Sequence, residues 1–195
     1  MRRRTFDTLV SVAGLVLAGV LVVAGGLLLW GHNFVSNEVS SQLAAQKIVF
    51  PAANSPAIKA PEFAAMHQYA GQTMTTGAQA EVYADHFIAN HLKEIGGGQT
   101  YAQLSAKALA QPKNAALAAQ VDAVFKGTTL RGMLLNAYAF WQMGQIALWG
   151  AIVSFVGAAI LLFLSVFGFV HARRVAPATE ILPDKTAGDS VPTTA

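Results

Sequence analysis

The sequence predicts an all-α membrane protein, in which two transmembrane helices form a hairpin around a small helical extracytoplasmic domain. Three observations carry this. Leu9 to Trp30 is an uncharged apolar run, and a second lies within the charge-free stretch Met133 to Val170. A helix of about 20 apolar residues crosses the ~30 Å hydrocarbon core of a bilayer, so both runs are long enough. Outside these runs no segment alternates apolar and polar residues with the period of two that a half-buried strand requires. Composition agrees: of 195 residues 54% are hydrophobic and 12% charged, about half the charged fraction of a soluble domain.

Charge placement gives the orientation. Arg2, Arg3 and Arg4 precede the first run, and His171, Arg173 and Arg174 follow the second. Cationic flanks stay on the cytoplasmic side, which puts both termini in the cytoplasm of a plasma-membrane protein. The expected segments are a cytoplasmic N-terminus at 1–8, a first span at 9–30, an extracytoplasmic domain at 31–145, a second span at 146–170 and a disordered cytoplasmic tail at 171–195. The first run exceeds the length of a secretory h-region and ends without a small-x-small cleavage site, which favours an uncleaved anchor. Trp30, Tyr138, Trp141 and Trp149 are expected near the outer membrane surface, where amphipathic rings gather.

The net charge of +3 invites a nucleic-acid reading, but its distribution excludes one. Between Gly31 and Gly132 seven Lys/Arg face six Asp/Glu, so the middle is nearly neutral and the basicity belongs to the flanks. No cysteine is present, so disulfides, thiolate chemistry and lipid attachment at a lipobox cysteine are all excluded.

Each element in between has its own signal. Val35, Val39 and Leu43 continue the first helix outward at helical spacing. Pro51, Pro56 and Pro61, with Asn54 and Ser55, predict an irregular, non-helical segment. An amphipathic helix is predicted over 78–95, with Ala84, Ile88, Leu92, Ile95 and His91 on one face. Gly96 to Gly98 end it. Thr100 and Gln103 fit a capping box that opens a helix over 101–110. Pro112 breaks that helix, another is predicted over 113–125, and Gly127-Thr128-Thr129 lead into the return helix.

Chemistry-bearing patterns are sparse. Glu81, Asp85, His86 and His91 are the only cluster that suggests a metal, but His86 and His91 are five residues apart and diverge around a helix, so no closed ligand set is expected. Gly96 to Gly98 lack the Lys-Ser/Thr of a phosphate loop. The spans hold no acidic or basic side chain at mid-depth, as proton relays and ion paths require, and no histidine there to ligate haem. The expectation is a non-enzyme with no catalytic residue, metal or cofactor. The spans do carry small residues at four-residue spacing: Gly14 and Ala18, continued by Gly26, on the first, and Gly150, Ser154 and Ala158 on the second. These suit helix packing, either against each other or against a partner's helices. Phe155, Phe163, Phe167 and Phe169 are assigned to the opposite face, toward lipid or another subunit.

Three phrases carry a resemblance: Tyr83-Ala84-Asp85-His86-Phe87-Ile88-Ala89-Asn90-His91-Leu92; Gly97-Gly98-Gln99-Thr100-Tyr101; and Phe125-Lys126-Gly127-Thr128-Thr129-Leu130-Arg131-Gly132. With the two-span layout, they make the chain, up to Arg174, similar to the actinobacterial prokaryotic respiratory supercomplex association factors. That resemblance implies a non-catalytic accessory subunit of a cytochrome bcc–aa3 oxidase supercomplex in the respiratory electron-transport chain. It also implies integral membrane subunits of that complex as partners, and no haem or copper of its own. Two other readings stand beside it: an extracytoplasmic metal or small-ligand sensor built on Glu81, Asp85, His86 and His91, and a self-associating envelope protein without a respiratory role.

Overall fold

In the computed structural model of the chain, residues 3–174 are described, and all of their regular structure is helical. Helix α1 spans Arg3–Ala45 without a break, so the outward continuation through Val39 and Leu43 is realised. Both side chains are buried. Lys47, just past its end, takes a left-handed φ of 53°, and the amides of Gln46 and Lys47 close the last turn on Leu43 and Ala44.

The proline-rich segment departs from expectation. Pro56–Ile58 and Pro61–Tyr69 are 3-10 helices, each with proline in its first turn. A fixed φ near −65° suits the start of a helical turn, where proline's missing N–H costs nothing. The Ser55 side chain caps the first of them by accepting from the Ala57 amide. A single antiparallel bridge, Val49 to Thr73, ties the two flanks of this segment together.

The predicted amphipathic helix is realised as three joined pieces. Helix α2 (Gly77–Val82) passes through a π-helical turn (Tyr83–Ile88) into α3 (Ala89–Ile95). A capping box of Thr76 and Gln79 opens it. The wider π turn shifts the register of the next helical residues, so Ala84 and Ile88 are buried while Ile95 is exposed. Gly97 and Gly98 then adopt positive φ. Their amides reach back to Glu94 and Lys93, the paired bonds of a Schellman stop. Helix α4 (Tyr101–Ala110) carries the expected Thr100–Gln103 capping box.

Helix α5 runs uninterrupted over Ala115–Arg174. This overturns two expectations, a separate helix over 113–125 and a break at Gly127. Its cap is the Asn114 side chain, which accepts from the Leu117 amide. Gly127 stays helical, and a side chain there would collide with Leu92. The glycine serves close approach rather than a turn. The helix also extends through Arg174, into the segment expected to be tail. The rest of the expected tail lies outside the described residues.

The chain divides into two compact units. One comprises the chain up to Leu29 and from Trp149 onward; the other is Trp30–Leu148. The second holds every fully buried large side chain: Phe50, Ile58, Met66, Met74 and Leu104. An aromatic row backs that core, running from Tyr69 through Phe50, Tyr83 and Phe87 to His91, with successive ring centroids 4.3 to 5.4 Å apart. Trp141 packs on this core against Gly77.

Candidate functional site

Among the described residues, α1 and α5 are the two helices long and apolar enough to cross a membrane, and only 11% of the most apolar window of each is buried. In a soluble core helix most of that window would be covered. Here Leu17, Val23, Val153 and Phe163, among many others, face outward.

What the first unit does bury is small. Ser11, Ala18, Ala151, Ala158, Ser165 and Ala172 are each less than 5% exposed, and Gly25 is buried with them. A side chain added at Gly14 would strike Ser165, and one added at Gly168 would strike Ser11. At Gly25 it would meet the Phe155 ring at 3.0 Å, and at Gly150 and Gly157 it would meet Leu28 and Leu21 at 3.2 Å. As α1 numbers rise, their α5 partners fall, so the two segments pack antiparallel. The Ser11 and Ser154 hydroxyls donate to the Asp7 and Gly150 carbonyls of their own helices, both at 2.8 Å. Hydroxyls satisfied this way can sit in or beside an apolar seam without needing water.

This arrangement places the predicted packing residues unevenly. Gly14, Ala18 and Ala158 lie in the seam, Gly150 touches it through Leu28, and Ser154 is half-buried. Gly26 has no neighbour within 4 Å and lies off it. Phe155, assigned to the opposite face, packs on Gly25. The signal that identifies the seam is a period of seven rather than four. Ser11, Ala18 and Gly25 are seven apart, as are Ala151, Ala158, Ser165 and Ala172. A strict seven-residue repeat keeps one seam facing a partner helix along its length.

The second unit has a cleft of about 560 Å³ between the α1 segment 34–43, with Gln46 and Ile48 just beyond that helix, and the α5 segment 130–140. Val39, Leu43 and Leu134 form its floor, and the exposed Phe34, Met133 and Phe140 form its lips. Glu38, Gln42, Gln46 and Asn136 supply its polar edge. Elsewhere in this unit the His32 Nδ1–H donates to the Gly144 carbonyl at 2.9 Å, clamping α1 to α5.

The four residues of the metal reading are not brought together. Asp85 accepts from Arg131 Nη2 at 2.6 Å. His86 Nδ1 is engaged by the Glu62 carbonyl at 3.1 Å, and His91 Nδ1 by that of Phe87 at 2.7 Å. His67 is tied to the Ile58 carbonyl through its other ring nitrogen, Nε2, at 3.0 Å. Among the described residues no three His, Asp or Glu side chains are grouped to hold a metal ion. The histidines act as backbone clamps, which their spacing alone did not reveal.

Partial burial pushes the Tyr83 phenol above its ordinary value of 10.0, because the aromatic row around it leaves its charged form less solvent. No protein-family model, curated protein or solved structure matches the chain.

Proposed function

We propose that this protein is a non-catalytic accessory subunit of a membrane-embedded respiratory assembly of the cytochrome bcc–aa3 oxidase type. In this reading it is a plasma-membrane hairpin with both termini in the cytoplasm and residues 31–145 outside. One observation carries the reading: two long apolar helices hold each other through a seam of small residues and leave nearly all their large apolar side chains facing outward. Such surfaces suit lipid and neighbouring membrane helices, where close packing rather than the hydrophobic effect drives association. The respiratory assignment rests on the sequence resemblance alone.

Two measurements test it. A tagged chain purified from its own membranes in mild detergent is examined by reduced-minus-oxidised spectroscopy, and a-, b- and c-type haem bands are expected to co-purify. A colourless preparation removes the respiratory role. For topology, the cysteine-free background allows single cysteines to be read cleanly. Gln111→Cys should react with a membrane-impermeant maleimide in intact cells and Thr193→Cys should not. The reverse pattern overturns the orientation.

A further inference from the structure

The cleft of the second unit supports an inference that rests on the accessory-subunit reading and deepens it. Its α1 wall presents Phe34, Glu38 and Gln42 every fourth residue, and its α5 wall presents Leu130, Met133, Ala137 and Phe140 every third or fourth. At 1.5 Å per residue the walls are roughly 14–15 Å long, just under three helical turns. Rows at these spacings are the ridges between which another helix packs. Phe34, Met133 and Phe140 are 58%, 65% and 53% exposed. A contiguous wet apolar patch of this kind marks a surface that is covered in use, and methionine adapts its shape to whatever covers it.

Charge selects the occupant. Glu38 is the only charged residue lining the cleft, and its carboxylate accepts one hydrogen bond, from Gln42 Nε2 at 2.6 Å. No cation lines the cleft. The cleft offers a phospholipid phosphate no cation to hold it, and a zwitterionic headgroup could bring its ammonium to Glu38 only with its own phosphate a few ångströms from the same carboxylate. A second copy related by a two-fold axis would present the same patch, again acidic and without a cation. A helix from a different protein meets neither obstacle. We propose that this cleft docks one α-helix of a partner protein, about three turns long, apolar on one face and carrying a Lys or Arg that pairs with Glu38.

The test places the photo-crosslinker benzoylphenylalanine at position 133 of the full-length tagged chain in its own membranes, with peptide mapping of the adduct. The expected product is an adduct to one other protein, through a segment with an apolar stripe and a Lys or Arg. Glu38→Lys should lower its yield at least about tenfold, and reversing the partner's cation to Glu should restore it. Because Glu38 is exposed, the variant is expected to keep the wild-type thermal melt; Glu38→Gln, which keeps the bond to Gln42 within reach, should give an intermediate yield. Adducts to lipid alone, adducts to a second copy alone, or a yield indifferent to the charge at position 38 each overturn the inference. The two readings fail separately. Haem bands without a protein adduct sink the cleft and leave the accessory role, whereas a colourless preparation with a charge-dependent adduct does the opposite.

Discussion

The first unit and the second are both helical, yet they bury opposite kinds of side chain. Of the described residues, those up to Leu29 and those from Trp149 to Arg174 cover alanine, serine and glycine and expose leucine, valine and phenylalanine. Residues 30–148 cover phenylalanine, isoleucine and methionine, as a protein surrounded by water does. The contrast shows which force holds each. In the second unit, burial of large apolar groups contributes about 25 cal/mol for each Å² removed from water. In the first, little such area is buried, and the fit of backbones brought close by small residues carries the contact.

The sharpest way to break that comparison is to remove a large side chain from the second core. Phe50→Ala should destabilise that unit by about 3–5 kcal/mol, and Met66→Ala by about 2–5 kcal/mol, measured as loss of protease resistance within 30–148. A cost below about 1 kcal/mol would mean that this core is not tightly packed. Next comes a pair of neighbouring glycines in the first unit. Gly25→Leu drives a side chain into the Phe155 ring and should cost about 1–3 kcal/mol, whereas Gly26→Leu meets open space and should stay within about 0.5 kcal/mol. Equal melts in detergent for the two variants would dissolve the seven-residue seam.

Smaller effects sharpen the picture of the π turn. Asp85→Asn breaks the ion pair to Arg131, whose side chains are 41% and 38% exposed. Solvent screens such a pair, so a loss of about 0–1 kcal/mol is expected, shrinking with added salt. A loss of about 3 kcal/mol or more would show that the pair holds the turn in place. The smallest effect is a pH dependence. Because the folded Tyr83 phenol titrates above 10.0, the unfolded chain releases that proton first. Its contribution is therefore complete below about pH 10 and is lost as pH rises through the folded value. Tyr83→Phe should flatten the alkaline limb of the stability curve, and an unchanged limb would assign it to other groups.

Much of the architecture is legible in the sequence because it is written locally. Thr100 with Gln103, the stop at Gly97 and Gly98, and the α4 boundaries depend on residues within one or two turns. Val39 and Leu43 can be read because helical spacing places them on one stripe. Other features need partners distant in sequence. Gly127 looks like a breaker until Leu92 is seen lying against it. Nothing near Trp141 in the sequence tells that it packs against Gly77. His86 and His91 diverge around a helix by their spacing, but the carbonyls of Glu62 and Phe87 that engage them are seen only in the structure. Pro56 and Pro61 look like interruptions, although proline equally opens a helical turn.

The sequence by itself determined that the chain is helical, which two segments are apolar enough to cross a membrane, and where the Thr100–Gln103 cap and the glycine stop before it fall. These rest on composition, on periodicity and on hydrogen bonds closed within four or five residues. Only the tertiary structure decided which small residues meet, that Gly25 rather than Gly26 faces α5, that α5 runs unbroken from Ala115 to Arg174, and that a cleft edged by Glu38 lies between two helices. Each of these is a matter of register between segments distant in the chain, or of one side chain filling the space another leaves. No local preference encodes that choice, because it is made by shape and by the exclusion of overlapping atoms.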